Sequence, residues 1–105
     1  MTDAVIVLCT FANEQDALCI GSAVVQARLA ACVNVLPGIR SIYRWKGEIE
    51  QADEILLLIK TTQQSFPALR DRIKELHPYE TPEIIAVPIG DGLADYLAWI
   101  REQVG

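Results

Sequence analysis

Cysteines paired two residues apart, glycine-rich phosphate loops and long apolar runs are all missing from this chain, and each absence closes off a class of function. Without Cys-x-x-Cys spacing there is no zinc knuckle and no dithiol redox motif. The three cysteines, Cys9, Cys19 and Cys32, are odd in number, which suits reduced thiols better than a disulfide scaffold. Without a glycine-rich loop no backbone cradle for a nucleotide phosphate is readable. Val5-Ile6-Val7-Leu8 is too short for a leader or a membrane span, and the residues before it carry no basic cluster, so a cytoplasmic protein without a membrane partner is expected. Positive charge is scarce as well. Nine Lys and Arg stand against fourteen Asp and Glu, a net charge of -5, and a phosphate backbone would be repelled, so no nucleic-acid partner is expected. With 105 residues, 51% of them hydrophobic, and no Gly/Ser-rich or Pro-rich linker, residues 1–105 are expected to form one domain.

What is present reads as alternating strands and helices. Val5 to Cys9 is apolar at every position, the pattern of a strand covered on both faces. Asn13 followed by Asp16 marks a helix start, and the stripe Ala17, Ile20, Val24 and Ala27 carries that helix to about Leu29, with Cys19 on the opposite, outward side. Cys32 to Leu36 resumes extended chain, and Pro37-Gly38 predicts a bulge because proline removes a ladder donor. Ile39 to Thr61 reads as a long hairpin reversing at Lys46-Gly47, with Arg40 opposite Asp53 and Tyr43 opposite Glu50. Each strand residue advances ~3.3 Å, so this arm reaches past a small core, and Tyr43 and Trp45 need another surface to cover them. A second helix opens at Ser65 or Phe66 with Pro67 in its first turn and stops at His77. Glu83 to Val87 is a last strand, and a final helix begins near Asp91-Gly92. The order β-α-β-β-α-β, followed by α, predicts an α+β fold: a ferredoxin-like sandwich with an extended hairpin and an added C-terminal helix.

The single histidine lies in His77-Pro78-Tyr79-Glu80-Thr81-Pro82-Glu83, a polar corner stiffened by two prolines. Two readings of His77 stand side by side. A histidine in the last helical turn is favoured by the helix dipole alone. Equally, a rigid corner fixes the direction of a side chain that has chemistry to do.

Taken in order, Val7-Leu8-Cys9-Thr10, Arg28-Leu29-Ala30-Ala31-Cys32-Val33-Asn34, Tyr43-Arg44-Trp45-Lys46-Gly47, Lys60-Thr61-Thr62 and the His77 to Glu83 corner resemble the CutA family of divalent-cation tolerance proteins. The resemblance implies a cytoplasmic homotrimer, PII-like in architecture, linked to tolerance of copper and other heavy metals. The family's copper ligands correspond to Cys9 and His77 here, and Leu76 stands where some members have a second histidine. Two donors are fewer than the roughly four of a closed structural site. Glu80, water or a neighbouring subunit would complete the set, and a bound copper or other divalent ion would be weak or exchangeable. An enzyme with Cys9 as nucleophile and His77 as base is not expected, since no oxyanion-hole motif or third orienting group is readable. The alternative is a PII-like regulatory module. Its inter-subunit clefts would take a small anion near Lys60, Arg44, Tyr79 and Glu80, and its hairpin would touch a partner protein.

Overall fold

Residues 2–105 are described by a computed structural model. The first strand, β1 (Ala4–Phe11), is apolar at every position but Thr10 because it lies inside a four-stranded antiparallel sheet ordered β2-β3-β1-β4. Its neighbours are β3 (Glu48–Thr62) and the five-residue β4 (Ile84–Pro88), while β2 (Cys32–Trp45) pairs only with β3 and forms the other edge. This is the ferredoxin-like order expected from the element sequence.

The period of two along each strand divides the sheet into unlike faces. Val5, Val7, Cys9 and Phe11 share one face with Leu57 and Ile59, and all six are buried against α1 (Glu14–Gln26) and α2 (Phe66–Leu76). Ala17, Ile20 and Val24 from the first helix and Leu69 and Ile73 from the second complete that core. The opposite face is covered only in part. There α3 (Ala94–Gln103) sets Leu97 and Ile100 against Ala4 and Ala31, and Tyr96 reaches the half-buried Cys32. Ile6, Leu8, Leu56 and Leu58 remain half-exposed beyond it, and Ile85 and Val87 are exposed.

Local chemistry sets the ends of these elements. Asn13 caps α1 by accepting the Asp16 amide at 2.8 Å. The helix closes at Gln26, three residues before the expected Leu29. Arg28 turns left-handed (φ 60°), and the amides of Arg28 and Leu29 return to the carbonyls of Val25 and Val24, a Schellman closure with arginine in the glycine position. The Arg28 guanidinium then holds the carbonyls of Glu102 and Gly105, tying α1 to the chain end. The last helix also starts later than Asp91-Gly92, at Ala94, because Leu93 before it is still extended (φ −62°, ψ 124°). Pro37-Gly38 makes the expected bulge, a register shift between Leu36 and Ile39.

Beyond that bulge β2 and β3 run on as the predicted arm. Arg40 faces Asp53, with 3.2 Å between Nε and Oδ1, and Tyr43 faces Glu50. Lys46 (φ 50°) and Gly47 (φ 84°) both take the positive φ that a two-residue hairpin turn requires. The arm stretches the molecule to 44 × 25 × 22 Å.

Burial separates structural from tolerant positions. Leu57, fully buried between the sheet and both helices, should cost about 2–5 kcal/mol when cut to alanine. Leu18, half-exposed on α1, should cost less than about 0.5 kcal/mol on the same change. Urea unfolding of both variants at one protein concentration measures the contrast.

Candidate functional site

The corner His77 to Glu83 leaves α2 and closes back onto the end of β1. His77 is the C-cap residue, with its amide bound to the Ile73 carbonyl at 2.8 Å and its own backbone extended (φ −74°, ψ 134°), as the following Pro78 demands. That conformation turns the imidazole inward, where only 7% of the residue stays exposed. The ring stacks on Phe11, with centroids 4.3 Å apart and planes 17° from parallel, and it lies 4.7 Å from the Tyr79 ring.

Both ring nitrogens are engaged. The Tyr79 backbone amide donates to Nδ1 at 3.1 Å, and a peptide N–H can only donate, so Nδ1 carries no proton. Nε2 lies 2.8 Å from the Thr10 carbonyl oxygen, which can only accept, so Nε2 carries the proton. His77 is therefore a neutral ring in one fixed tautomer. Burial lowers its pKa below the usual histidine value, although the Thr10 carbonyl and the charges of Asp16 and Glu54 pull the other way.

The corner is thus as rigid as the two prolines predict, but it aims the imidazole into the protein. In this conformation no lone pair on His77 is free. Cys9 is likewise inside, fully buried in the central strand. Burial first, and then the charges of Glu83 and Glu54, push its thiol up to about 12, so the thiolate a metal or a nucleophilic reaction needs is scarce at neutral pH. Among the described residues no three His, Cys, Asp or Glu side chains stand close enough to hold a metal ion. Cys19 is exposed, as its helical position predicts.

What the corner does build is a cavity of about 520 Å³ between itself and the base of the hairpin arm. Tyr79 reaches across it and donates its hydroxyl to Glu54 Oε2 at 2.7 Å. Burial, followed by this bond and the Glu54 charge, raises the Tyr79 pKa, so the phenol stays a donor. Tyr43 and Trp45 wall the side of the arm, and Glu80 and Glu83 the side of the corner. Neither Lys60 nor Arg44 lines it. The Lys60 ammonium instead contacts the Asn34 side chain, while Lys74 donates to the Glu80 carbonyl and Lys46 stands 4.0 Å from the Glu80 carboxylate. Glu54 and Thr10 are the residues that sequence reasoning missed. Glu54 reads as one of several acids on a solvated arm, and only the fold back of the corner buries it.

The His77 bonds make stability depend on pH. The unfolded ring titrates near ~6.5, and the native ring titrates lower because it is buried neutral. Stability due to His77 is therefore complete above ~6.5 and declines as the pH falls from there toward the lowered native value, where the unfolded chain binds the extra proton. Wild type should lose more stability than His77→Gln between about pH 7.5 and 5.5. His77→Ala should cost about 2–4 kcal/mol at pH 7.5, as expected for a buried, doubly bonded ring. Melting scans of the three proteins test both statements.

Known proteins share this fold. The family model described as CutA1 divalent ion tolerance protein matches residues 5–103. The divalent-cation tolerance protein CutA of Thermus thermophilus is 53% identical over 100 residues, covering 95% of this chain and 97% of that one. The human Protein CutA is 50% identical over 93 residues, which is 89% of this chain and 52% of the human protein. The crystal structure of CutA from Xylella fastidiosa superposes with a TM-score of 0.96 at 44% identity, covering 99% of this chain and all of that one. With the matched positions running from β1 to the last turn of α3, the chain belongs to the CutA1 family of divalent ion tolerance proteins.

Proposed function

We propose that this protein acts in divalent-cation tolerance as a cytoplasmic homotrimer that binds copper or another divalent ion weakly and exchangeably, and that it is not an enzyme. The observation that carries this reading is the occupancy of His77. For Cys9 and His77 to become ligands, the ring must give up the Tyr79 amide or the Thr10 carbonyl, and a thiol raised to about 12 must lose its proton in an apolar interior. Each step subtracts from metal affinity. The same two facts weigh against a Cys9–His77 catalytic dyad, since neither an available base nor a thiolate is at hand.

Association is supported by the half-covered sheet. Ile85 and Val87 on the open face, and Ile42, Tyr43, Trp45 and Ile49 on the arm, leave more apolar surface in water than an isolated subunit ordinarily does. The count of three subunits rests on the family resemblance, and the cytoplasmic location on three unpaired cysteines. A second reading, a PII-like regulatory module with a small ligand or a partner protein, is favoured by the cavity under Tyr79.

Calorimetric titration with copper or zinc should give a dissociation constant of about micromolar or weaker. Cys19→Ser should remove whatever tighter binding an exposed thiol supplies. A nanomolar site, one per subunit, that disappears in His77→Ala would contradict the proposal. Sedimentation equilibrium should find a trimer that Val87→Asp weakens by at least about tenfold, since a charge would then be buried on the open face.

A further inference from the structure

Glu54 is buried to 7% exposure, and none of the ion pairs among the described residues reaches it. Glu54 lines the cavity, and its one hydrogen bond among the described residues comes from a neutral phenol and occupies Oε2, leaving Oε1 without a partner among them. Buried carboxylates ordinarily face a cation. The charged side chains lining this cavity, Glu54, Glu80 and Glu83, are all acidic, and three of the other lining residues, Tyr43, Trp45 and Tyr79, are aromatic.

That lining selects among ligand classes. An anion would meet three carboxylates and no lining cation. A bare divalent ion needs several oxygens at close range, and among the described residues no three His, Cys, Asp or Glu side chains are near enough to hold one. A cation carried on carbon suits both halves of the lining, because the charge faces a carboxylate while its methyl or methylene groups lie on aromatic faces. The rim already shows the pairing. The Lys46 ammonium sits 5.6 Å from the Trp45 ring centre and 4.0 Å from Glu80. About 520 Å³ is room for a small organic molecule.

We propose that the cavity between the hairpin arm and the His77–Glu83 corner is a binding site for a free organic ammonium compound, held by Glu54 and the rings of Trp45 and Tyr79. This names the ligand of the regulatory-module reading and rests on that reading. The occupant completes the ion pair that the fold leaves open at Glu54.

The test titrates the intact oligomer in a Trp99→Phe background, where fluorescence reports Trp45 alone. The probes are choline, 2-phenylethylammonium, acetate, citrate and 3,3-dimethylbutanol, the uncharged isostere of choline. Either ammonium should bind saturably, and the uncharged isostere at least about tenfold more weakly than choline. Glu54→Gln keeps an acceptor for Tyr79 and should lower choline affinity by about tenfold. Trp45→Leu, followed calorimetrically, should lower it as well, which guards against a folding defect in the first variant. Tighter binding of acetate or citrate than of either ammonium would overturn the ammonium assignment and leave the regulatory module standing. No saturable binding by any probe below about 50 mM would overturn both. Equal affinity for choline and its isostere, or unchanged affinity in Glu54→Gln, would overturn the assignment to Glu54.

Discussion

The bond from His77 Nε2 to the Thr10 carbonyl, 2.8 Å long, joins the loop after α2 to the last residues of the central strand, and the geometry of the whole corner follows from it. With that nitrogen donating, the other must accept, and the Tyr79 amide supplies the donor. The direction of the chain after Pro78 is then fixed, which carries the Tyr79 phenol to Glu54 on the third strand. Stacking on Phe11 excludes water from the ring and strengthens both bonds. The corner, the end of β1 and the base of the arm are thereby locked together, and the cavity is the space they leave.

A second constraint is the unequal covering of the sheet. Two helices bury the middle of one face, whereas α3 covers the other only near Ala4 and Ala31. An antiparallel sheet tolerates one face in water when that face is polar. Here it carries Ile6, Leu8, Leu56, Leu58, Ile85 and Val87, the surface that the proposed trimer would cover. The arm points the same way, since its exposed Ile42 and Ile49 contribute nothing to the subunit's own core.

The sequence is a good guide wherever one residue decides a local conformation. Pro37-Gly38 gives the bulge, Lys46-Gly47 the turn, Asn13 the cap, and Pro67 the start of the second helix, because each acts on its own backbone. It guides less well where a distant contact decides. Arg28 ends α1 by adopting a conformation usually left to glycine, supported by carbonyls more than seventy residues away. Prolines on either side of the corner announce its stiffness, yet the inward direction of His77 depends on Thr10, sixty-seven positions earlier. The resemblance to the family marks Cys9 and His77 as its copper ligands. It does not reveal that burial protonates one and that two backbone groups engage the other. Glu54 is illegible for the same reason: an acid on a strand looks solvated until the partner that covers it is known.

The central claim is that His77 is a neutral latch and that the site lies in the cavity it creates. Nitrogen-detected NMR of the histidine ring at pH 7.5, with and without one equivalent of zinc, tests it most directly. The account predicts a single neutral tautomer protonated at Nε2, a slowly exchanging ring proton, and no change of tautomer on adding metal. A ring protonated at Nδ1, a charged imidazolium at that pH, or direct coordination of zinc by either nitrogen would contradict it.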